Sequence, residues 1–234
     1  MKVGVISDIH GNDIALRAVL ADMPTVDGLV CAGDVVGYNP GHAACVEAIR
    51  SPETGPVADS AAALLDGTVP TVQGNHDRAV ATGRAPGFNH MAEAGVEHAR
   101  EQLDDDQLAW LDELPEERHV CDGRVKIVHG HPDDPDHYTR PDEFGPELLD
   151  GEEVLIMGHT HIQHHEVYDV GVVMNPGSVG QPRDRDPKAA YAVVDLDERT
   201  VEERRVDYDT DAVIRAVEDA GLPRQIGFRL TQGR

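Results

Sequence analysis

Apolar positions recur along this chain with two different periods. Lys2-Val3-Gly4-Val5-Ile6-Ser7 is a short β-branched run that predicts a strand over 2–7. Asp13 to Asp22 then carries Ile14, Leu16, Val19 and Leu20 at helical spacing, with Asn12 or Asp13 placed to cap it. Leu29 to Ala32 predicts a second strand and His42 to Arg50 a second helix. Pro52, Gly55 and Pro56 predict an irregular crossing over 51–60, followed by a short helix from Asp59 to Leu65. Val69 to Val72 reads as a third strand. This alternation predicts parallel pairing with right-handed crossovers. Two helical segments, His90 to Gln102 and Asp105 to Leu114, follow as a pair covering one side of the molecule.

From Glu117 the period changes to that of strands. Arg118 to Asp122 and Val125 to Val128 predict a hairpin turning at Asp122-Gly123. The stretch from Pro132 to Pro146 is rich in Pro and Asp, and its length without periodicity predicts a functional loop or lid. Val154 to Met157 is a further strand. His165 to Tyr168 pairs with Val172 to Asn175, and Ala189 to Asp195 with Val201 to Val206, before a last helix from Asp211 to Ala220. Gly221-Leu222-Pro223 ends that helix, and Phe228 and Leu230 in the tail suggest a docked segment or a dimer contact. A helix-rich first half and a strand-rich second half predict an α/β fold of two packed sheets with helices outside. A single domain over 1–234 is expected, with a helical cover at about 88–114 and a C-terminal helix and tail at about 210–234.

The polar residues change the picture where they end the apolar runs. Asp8-Ile9-His10 follows the first strand and Gly33-Asp34 the second. Gly74-Asn75-His76-Asp77, His129-Gly130-His131 and Gly158-His159-Thr160-His161 follow three others. Open α/β sheets build sites at the C-terminal edges of their strands. Each piece alone is an ordinary turn or a hydrogen-bonded histidine, but packing does not explain five of them in one chain. Asp8 and His10 alternate by two, as do His159 and His161, so each pair is expected to leave its strand on one side. The donors are imidazole nitrogen and carboxylate or amide oxygen, without sulfur. That set suits two divalent transition metals, manganese first, with iron, zinc, cobalt or nickel as alternatives.

Composition narrows the partners. The chain has 234 residues, 40% hydrophobic and 4% aromatic, so its core is aliphatic. No run approaches the roughly 18 apolar residues of a membrane span. Met1 leads straight into the first strand, which predicts no signal peptide and a cytoplasmic location. Cys31, Cys45 and Cys121 have neither disulfide nor zinc-site spacing, and Cys31 is expected in the core. The 44 Asp and Glu against 20 Lys and Arg give a net charge of -24, with lysine only at 2, 126 and 188. That balance opposes nucleic-acid binding, which needs cationic surface, and resembles proteins adapted to high salt. Stability that rises with KCl is the expected sign of such adaptation.

The five pieces, in this order, resemble the signature set of the calcineurin-like metallophosphoesterases. Gly33-Asp34-Val35-Val36-Gly37-Tyr38-Asn39-Pro40 and Asn175-Pro176-Gly177-Ser178-Val179-Gly180-Gln181-Pro182-Arg183 are similar to a prokaryotic subgroup of predicted phosphodiesterases related to diadenosine tetraphosphatase. The resemblance spans residue 1 to about residue 207. It implies a two-sheet sandwich flanked by helices in four layers. It implies that Asp8, His10, Asp34 and His161 hold one metal and Asp34, Asn75, His129 and His159 a second. It implies that His76 protonates the leaving oxygen, oriented by Asp77, while a metal-bridging hydroxide attacks phosphorus. The substrate is then a small phosphodiester or phosphomonoester. Arg78 and Arg183 are the candidate phosphate contacts, because arginine offers a forked donor set; a surface salt bridge is the competing role for each. A homo-oligomer is compatible with this reading. Alternatives are a phosphoprotein phosphatase, a nuclease, or a non-catalytic metal-binding scaffold for protein assembly. The scaffold need not keep His76.

Overall fold

The computed structural model describes residues 1–52 and 69–234. Two sheets lie face to face. One has the order β2-β1-β8-β9, built from β1 (Lys2–Ile6), β2 (Gly28–Cys31), β8 (Ala189–Asp195) and β9 (Thr200–Val206). The other has the order β3-β4-β5-β7-β6, built from β3 (Glu117–Val120), β4 (Val125–Val128), β5 (Val154–Ile156), β6 (His164–Tyr168) and β7 (Gly171–Asn175). β1 pairs with β2 in parallel, as the strand-helix alternation predicts, and β4-β5-β7 is a parallel run.

Alternation along each strand makes the layers. Val3 and Val5 of β1, Val30 of β2, and Ala192 and Val194 of β8 face the second sheet. They meet Val125, Ile127, Val154, Ile156, Val172 and Met174 there. The opposite face of the first sheet presents Ile6, Leu29, Cys31, Tyr191 and Val193 to α1 (Asp13–Asp22) and α2 (His42–Arg50). Each of the larger aliphatic side chains buried there stabilises the fold by about 1.5–3 kcal/mol. The outer face of the second sheet is covered by the 132–149 stretch, through Phe144, Leu148 and Leu149 against Leu155, Met157 and Val173. That stretch contains two single 3-10 turns, Pro141–Glu143 and Pro146–Leu148.

Four helices begin at short polar side chains that cap them. Asn12 accepts from the Ala15 N–H, Asn89 caps α4 (His90–Gln102), Asp104 caps α5 (Asp105–Asp112), and Asp209 caps α6 (Thr210–Asp219). Three expectations change. The strand expected at Val69 to Val72 reduces to a bridge between Thr71 and Cys31. Pro70 has no N–H to donate, so among the described residues β2 makes only the Cys31-to-Pro70 and Val72-to-Cys31 hydrogen bonds on that side. A helix absent from the pattern reading, α3 (Asn75–Thr82), opens directly at the third polar motif and ends on Gly83 in the left-handed region. The tail forms α7 (Gln225–Leu230), whose Ile226 and Leu230 pack with Val213, Val217 and Tyr38, while Phe228 stays exposed. The expected crossing at 51–60 and helix from Asp59 to Leu65 fall on residues outside the described ones, save 51 and 52. Among the described residues no helix is long and apolar enough to cross a membrane.

Candidate functional site

The strand ends converge at one edge of the two-sheet sandwich. Asp8 and His10 follow β1, Asp34 follows β2, His129 follows β4, and His159 and His161 follow β5; Asn75 and His76 open α3. All eight come together. Asp8, His10 and His161 form one group of donor atoms, and Asp34, His129 and His159 a second. His10, Asp34 and His76 form a third that overlaps both. Asn75 Oδ1 lies 3.3 Å from His129 Nε2.

The backbone route differs from the alternation that the sequence suggested. β1 ends at Ile6 and β5 at Ile156, so neither Asp-x-His nor His-x-His is strand. Asp8, His10, Asp34, His159 and His161 all have positive φ, between 50° and 66°. Non-glycine residues avoid this region at a cost of about 1–2 kcal/mol each. Main-chain bonds hold them there: Asp8 N–H donates to Gly33, His10 N–H to Asp34, and Gly180 N–H to Asp8. Strain concentrated at five of the expected metal ligands is the pattern of a site that fixes side chains by tertiary contacts.

Each carboxylate has one oxygen fixed and one turned inward. Asp8 Oδ2 accepts from Ser7 Oγ (2.7 Å) and the His159 N–H (3.1 Å). Asp8 Oδ1 is buried without a hydrogen bond and lies 3.2 Å from His161 Nε2 and 3.8 Å from His10 Nε2. Asp34 Oδ1 accepts from the His76 N–H (2.8 Å). Its Oδ2 lies 3.3 Å from His129 Nε2 and 3.6 Å from His10 Nε2. Gly74 permits this approach, because a Cβ there would stand 2.0 Å from Asp34 Oδ1.

The imidazoles are set by the carbonyls behind them. Nδ1 of His10, His129 and His161 faces Val36 O (3.1 Å), Ala32 O (2.7 Å) and Gln181 O (2.6 Å). A carbonyl only accepts, so each Nδ1 carries a proton and each Nε2 points into the site. His159 is reversed: its Nε2 donates to the Asp136 carbonyl at 3.2 Å. Burial pulls the pKa of His10 well down, and burial with Arg183 pulls down that of His161. Burial opposes charge on His129 too, yet the Asp34 carboxylate beside it raises its pKa. Burial likewise opposes charge on Asp34, but the His129 and His76 imidazoles hold it well below the carboxylate range.

These residues fit divalent cations. His10 Nε2 and His161 Nε2 stand 3.1 Å apart beside the unpartnered Asp8 oxygen. That is the spacing of neighbouring donors around one ion with bonds of about 2.1 Å. The lone pairs repel unless a cation lies between them. Asp34 belongs to both sides, with one inward oxygen near His10 and His129.

The remaining candidates divide. The His76 ring packs 4.7 Å from His10, 4.7 Å from Tyr38 and 4.5 Å from Phe88, and its Nδ1 makes no hydrogen bond. Burial pulls its pKa down to about 4. Asp77 does not orient it. The Asp77 carboxylate instead accepts main-chain N–H bonds from Asp34 (2.7 Å), Gly74 (3.1 Å) and Val36 (3.2 Å), tying α3 to the Asp34 loop. Asp77→Ala is expected to destabilise the protein by about 3 kcal/mol, since three buried donors lose their acceptor. Urea unfolding measures that loss; an unchanged midpoint contradicts the role. Arg78 pairs with Asp136. Arg183 Nη2 donates to Gln181 Oε1 (2.8 Å) and lies 3.4 Å from the Tyr38 hydroxyl. His131 is tied to its own loop through the Asp133 N–H. His164 and His165 pair with Glu166 and Glu203.

Tyr138, Arg84 and Phe88 were not singled out in the sequence. Tyr138, from the 132–146 loop, stacks on His159 at 3.8 Å. With Asn75, Arg78, Arg84, Phe88, Asp136 and His159 it lines a cleft of about 300 Å³. Ser178 Oγ supports the Asp8 carbonyl, and Asn175 holds the turn before His159 through Gly158 O and Thr160 Oγ1. The Asn-Pro-Gly-Ser motif therefore braces the site from behind.

The calcineurin-like phosphoesterase superfamily domain matches residues 1–199. An uncharacterised protein of Methanocaldococcus jannaschii is 32% identical over 254 aligned positions, covering 99% of this chain and 98% of its own length. The crystal structure of a metallophosphoesterase from Sphaerobacter thermophilus superposes with a TM-score of 0.80 at 32% identity, covering 100% of this chain and 99% of the other. A hypothetical protein from Pyrococcus horikoshii shares the fold, with a TM-score of 0.81, 22% identity and coverage of 100% and 98%.

Proposed function

We propose that this chain, which belongs to the calcineurin-like phosphoesterase superfamily, hydrolyses a small phosphodiester or phosphomonoester with two divalent cations. One observation carries the reading: a single buried carboxylate, Asp34, reaches the imidazoles of two donor clusters at once. Asp8, His10, Asp34 and His161 would hold one ion, and Asp34, Asn75, His129 and His159 the other. Two ions held there supply Lewis acidity at the phosphoryl oxygens and acidify a water. Nitrogen and oxygen donors without thiolate admit manganese, the metal we expect, and equally iron, zinc, cobalt and nickel, among which availability decides.

The chain's own side chains supply the rest. His76 lies buried against His10, Tyr38 and Phe88, where a ring nitrogen can deliver a proton to the departing oxygen. Among the described residues Arg183 has no side-chain carboxylate within 4.0 Å, and it can neutralise a phosphoryl oxygen. Asp77 acts as a positioning residue through the Asp34 loop. A cleft of about 300 Å³ beside Asn75 and His159 is at the small end of ligand sites and favours a small ester over a protein substrate. The net charge of -24 disfavours nucleic acid. The reading treats the whole chain as one domain, because α7 packs on Tyr38 beside the site.

Hydrolysis of bis-p-nitrophenyl phosphate and p-nitrophenyl phosphate, with manganese in high KCl, tests the reading. Turnover that disappears with a chelator and returns with metal is expected, and the ratio of the two rates assigns diester or monoester. Folded protein that binds two ions yet turns over neither ester with any of the five metals overturns the reading in favour of a binding scaffold.

A further inference from the structure

Two arginines share one aromatic ring at the rim of the site. The guanidinium carbons of Arg183 and Arg229 each lie 5.9 Å from the centroid of Tyr38. That ring is 5.0 Å from His10 and 4.7 Å from His76. Acids outnumber basic residues 44 to 20 in this chain. Several arginines pair with them, as Arg78 does with Asp136 and Arg205 with Asp184. Among the described residues neither Arg183 nor Arg229 has a side-chain carboxylate within 4.0 Å.

Both guanidiniums are positioned by other groups. Gln181 Oε1 accepts from Arg183 Nε (3.2 Å) and Nη2 (2.8 Å), and the Arg183 N–H donates to the His161 carbonyl. Arg229 rides on α7, which buried Ile226 and Leu230 seat against Val213 and Val217. Its Nε donates to the Arg234 main-chain oxygen. Burial and the neighbouring Arg183 charge lower its pKa from the usual arginine value. Two half-buried like charges beside one ring, with no side-chain carboxylate between them among the described residues, are unfavourable together, and a dianion between them relieves both. Arg183 Nη2 lies 3.4 Å from the hydroxyl of Tyr38, whose ring touches His10 and His76. Arg229 stands beyond residue 199, outside the part of the chain matched by the superfamily domain.

We propose that Arg183 and Arg229, braced on Tyr38, form a subsite for a second phosphoryl group of the substrate. The inference rests on the phosphoesterase reading and narrows it: the favoured ester carries another phosphoryl group beside the scissile one. Arg229 is then a specificity-determining residue supplied by the C-terminal helix.

Methylenebisphosphonate, methylphosphonate and phosphonoacetate are the probes. Each is tested as an inhibitor of bis-p-nitrophenyl phosphate hydrolysis and by calorimetry on the manganese-loaded full chain. The bisphosphonate is expected to bind more tightly than methylphosphonate, and Arg229→Gln to cut that advantage by about 10-fold, the worth of a charge-assisted hydrogen bond. Arg229→Lys is expected to recover part of it, which separates lost charge from a disturbed helix. An advantage that survives Arg229→Gln in full overturns the subsite, and phosphonoacetate matching the bisphosphonate overturns its assignment to phosphoryl groups. Calorimetry decides without turnover, so an inactive wild-type chain contradicts the phosphoesterase reading separately from the subsite.

Discussion

Asp34→Asn is expected to reduce hydrolysis by about 10³-fold or more, a barrier increase of about 4 kcal/mol. The side chain is fully buried, and its two oxygens have different tasks. Oδ1 accepts the His76 N–H, and Oδ2 faces His10 and His129 from the middle of the donor set. An amide oxygen still serves the first contact, so the loop and α3 keep their places. The second position loses its charge, which is what lets one side chain serve two cations. Metal stoichiometry should therefore fall below two per chain while the circular dichroism spectrum stays that of the wild type. Activity within about 10-fold of wild type at saturating manganese contradicts a shared role for Asp34.

His76→Ala is expected to lower kcat by about 10²–10⁴-fold, the usual worth of a positioned proton donor, and to leave both cations bound. The ring is held by Tyr38, Phe88 and His10, not by a hydrogen bond, because its Nδ1 has no partner. Its ligand atom is nevertheless within the same reach as those of His10 and Asp34. Distance alone thus leaves two roles open, and the variant separates them. A proton donor matters most when the leaving oxygen is basic, so the loss should be larger for an alkyl ester than for a p-nitrophenyl ester. Loss of one bound cation in His76→Ala, with equal rate losses for both esters, would identify a ligand.

Much of the site was legible because its residues are chemically unusual for the ends of apolar runs. Asp8, His10, Asp34, Asn75, His129, His159 and His161 do meet, although the strands carrying them belong to two different sheets. The geometry of that meeting was not legible. The spacing of two suggested strand alternation, whereas five of these residues sit in the left-handed region, held by hydrogen bonds between loops distant in sequence. Asp77 was misread for a related reason. Its neighbour in the chain is His76, but α3 turns its carboxylate back onto the Asp34 loop.

Helices and hairpins with caps or turn residues were read to within a few positions. α3 was missed because its eight residues offer only the short run Ala79, Val80 and Ala81 to the core after a strongly polar first turn. Val69 to Val72 looked like a strand by composition, and Pro70 limits it to a bridge. Arg229 carries no local signal at all. Its place beside Arg183 depends on how α6 and α7 fold back over Tyr38, a contact between residues 38, 183 and 229 that no motif spans.

A titration of chelator-treated protein with manganese, following bis-p-nitrophenyl phosphate hydrolysis at each addition, tests the central claim most directly. The shared carboxylate of Asp34 predicts that the rate climbs until about two equivalents per chain are bound and then levels off. A plateau at one equivalent, or an unchanging rate through the whole titration, would contradict a dinuclear phosphoesterase.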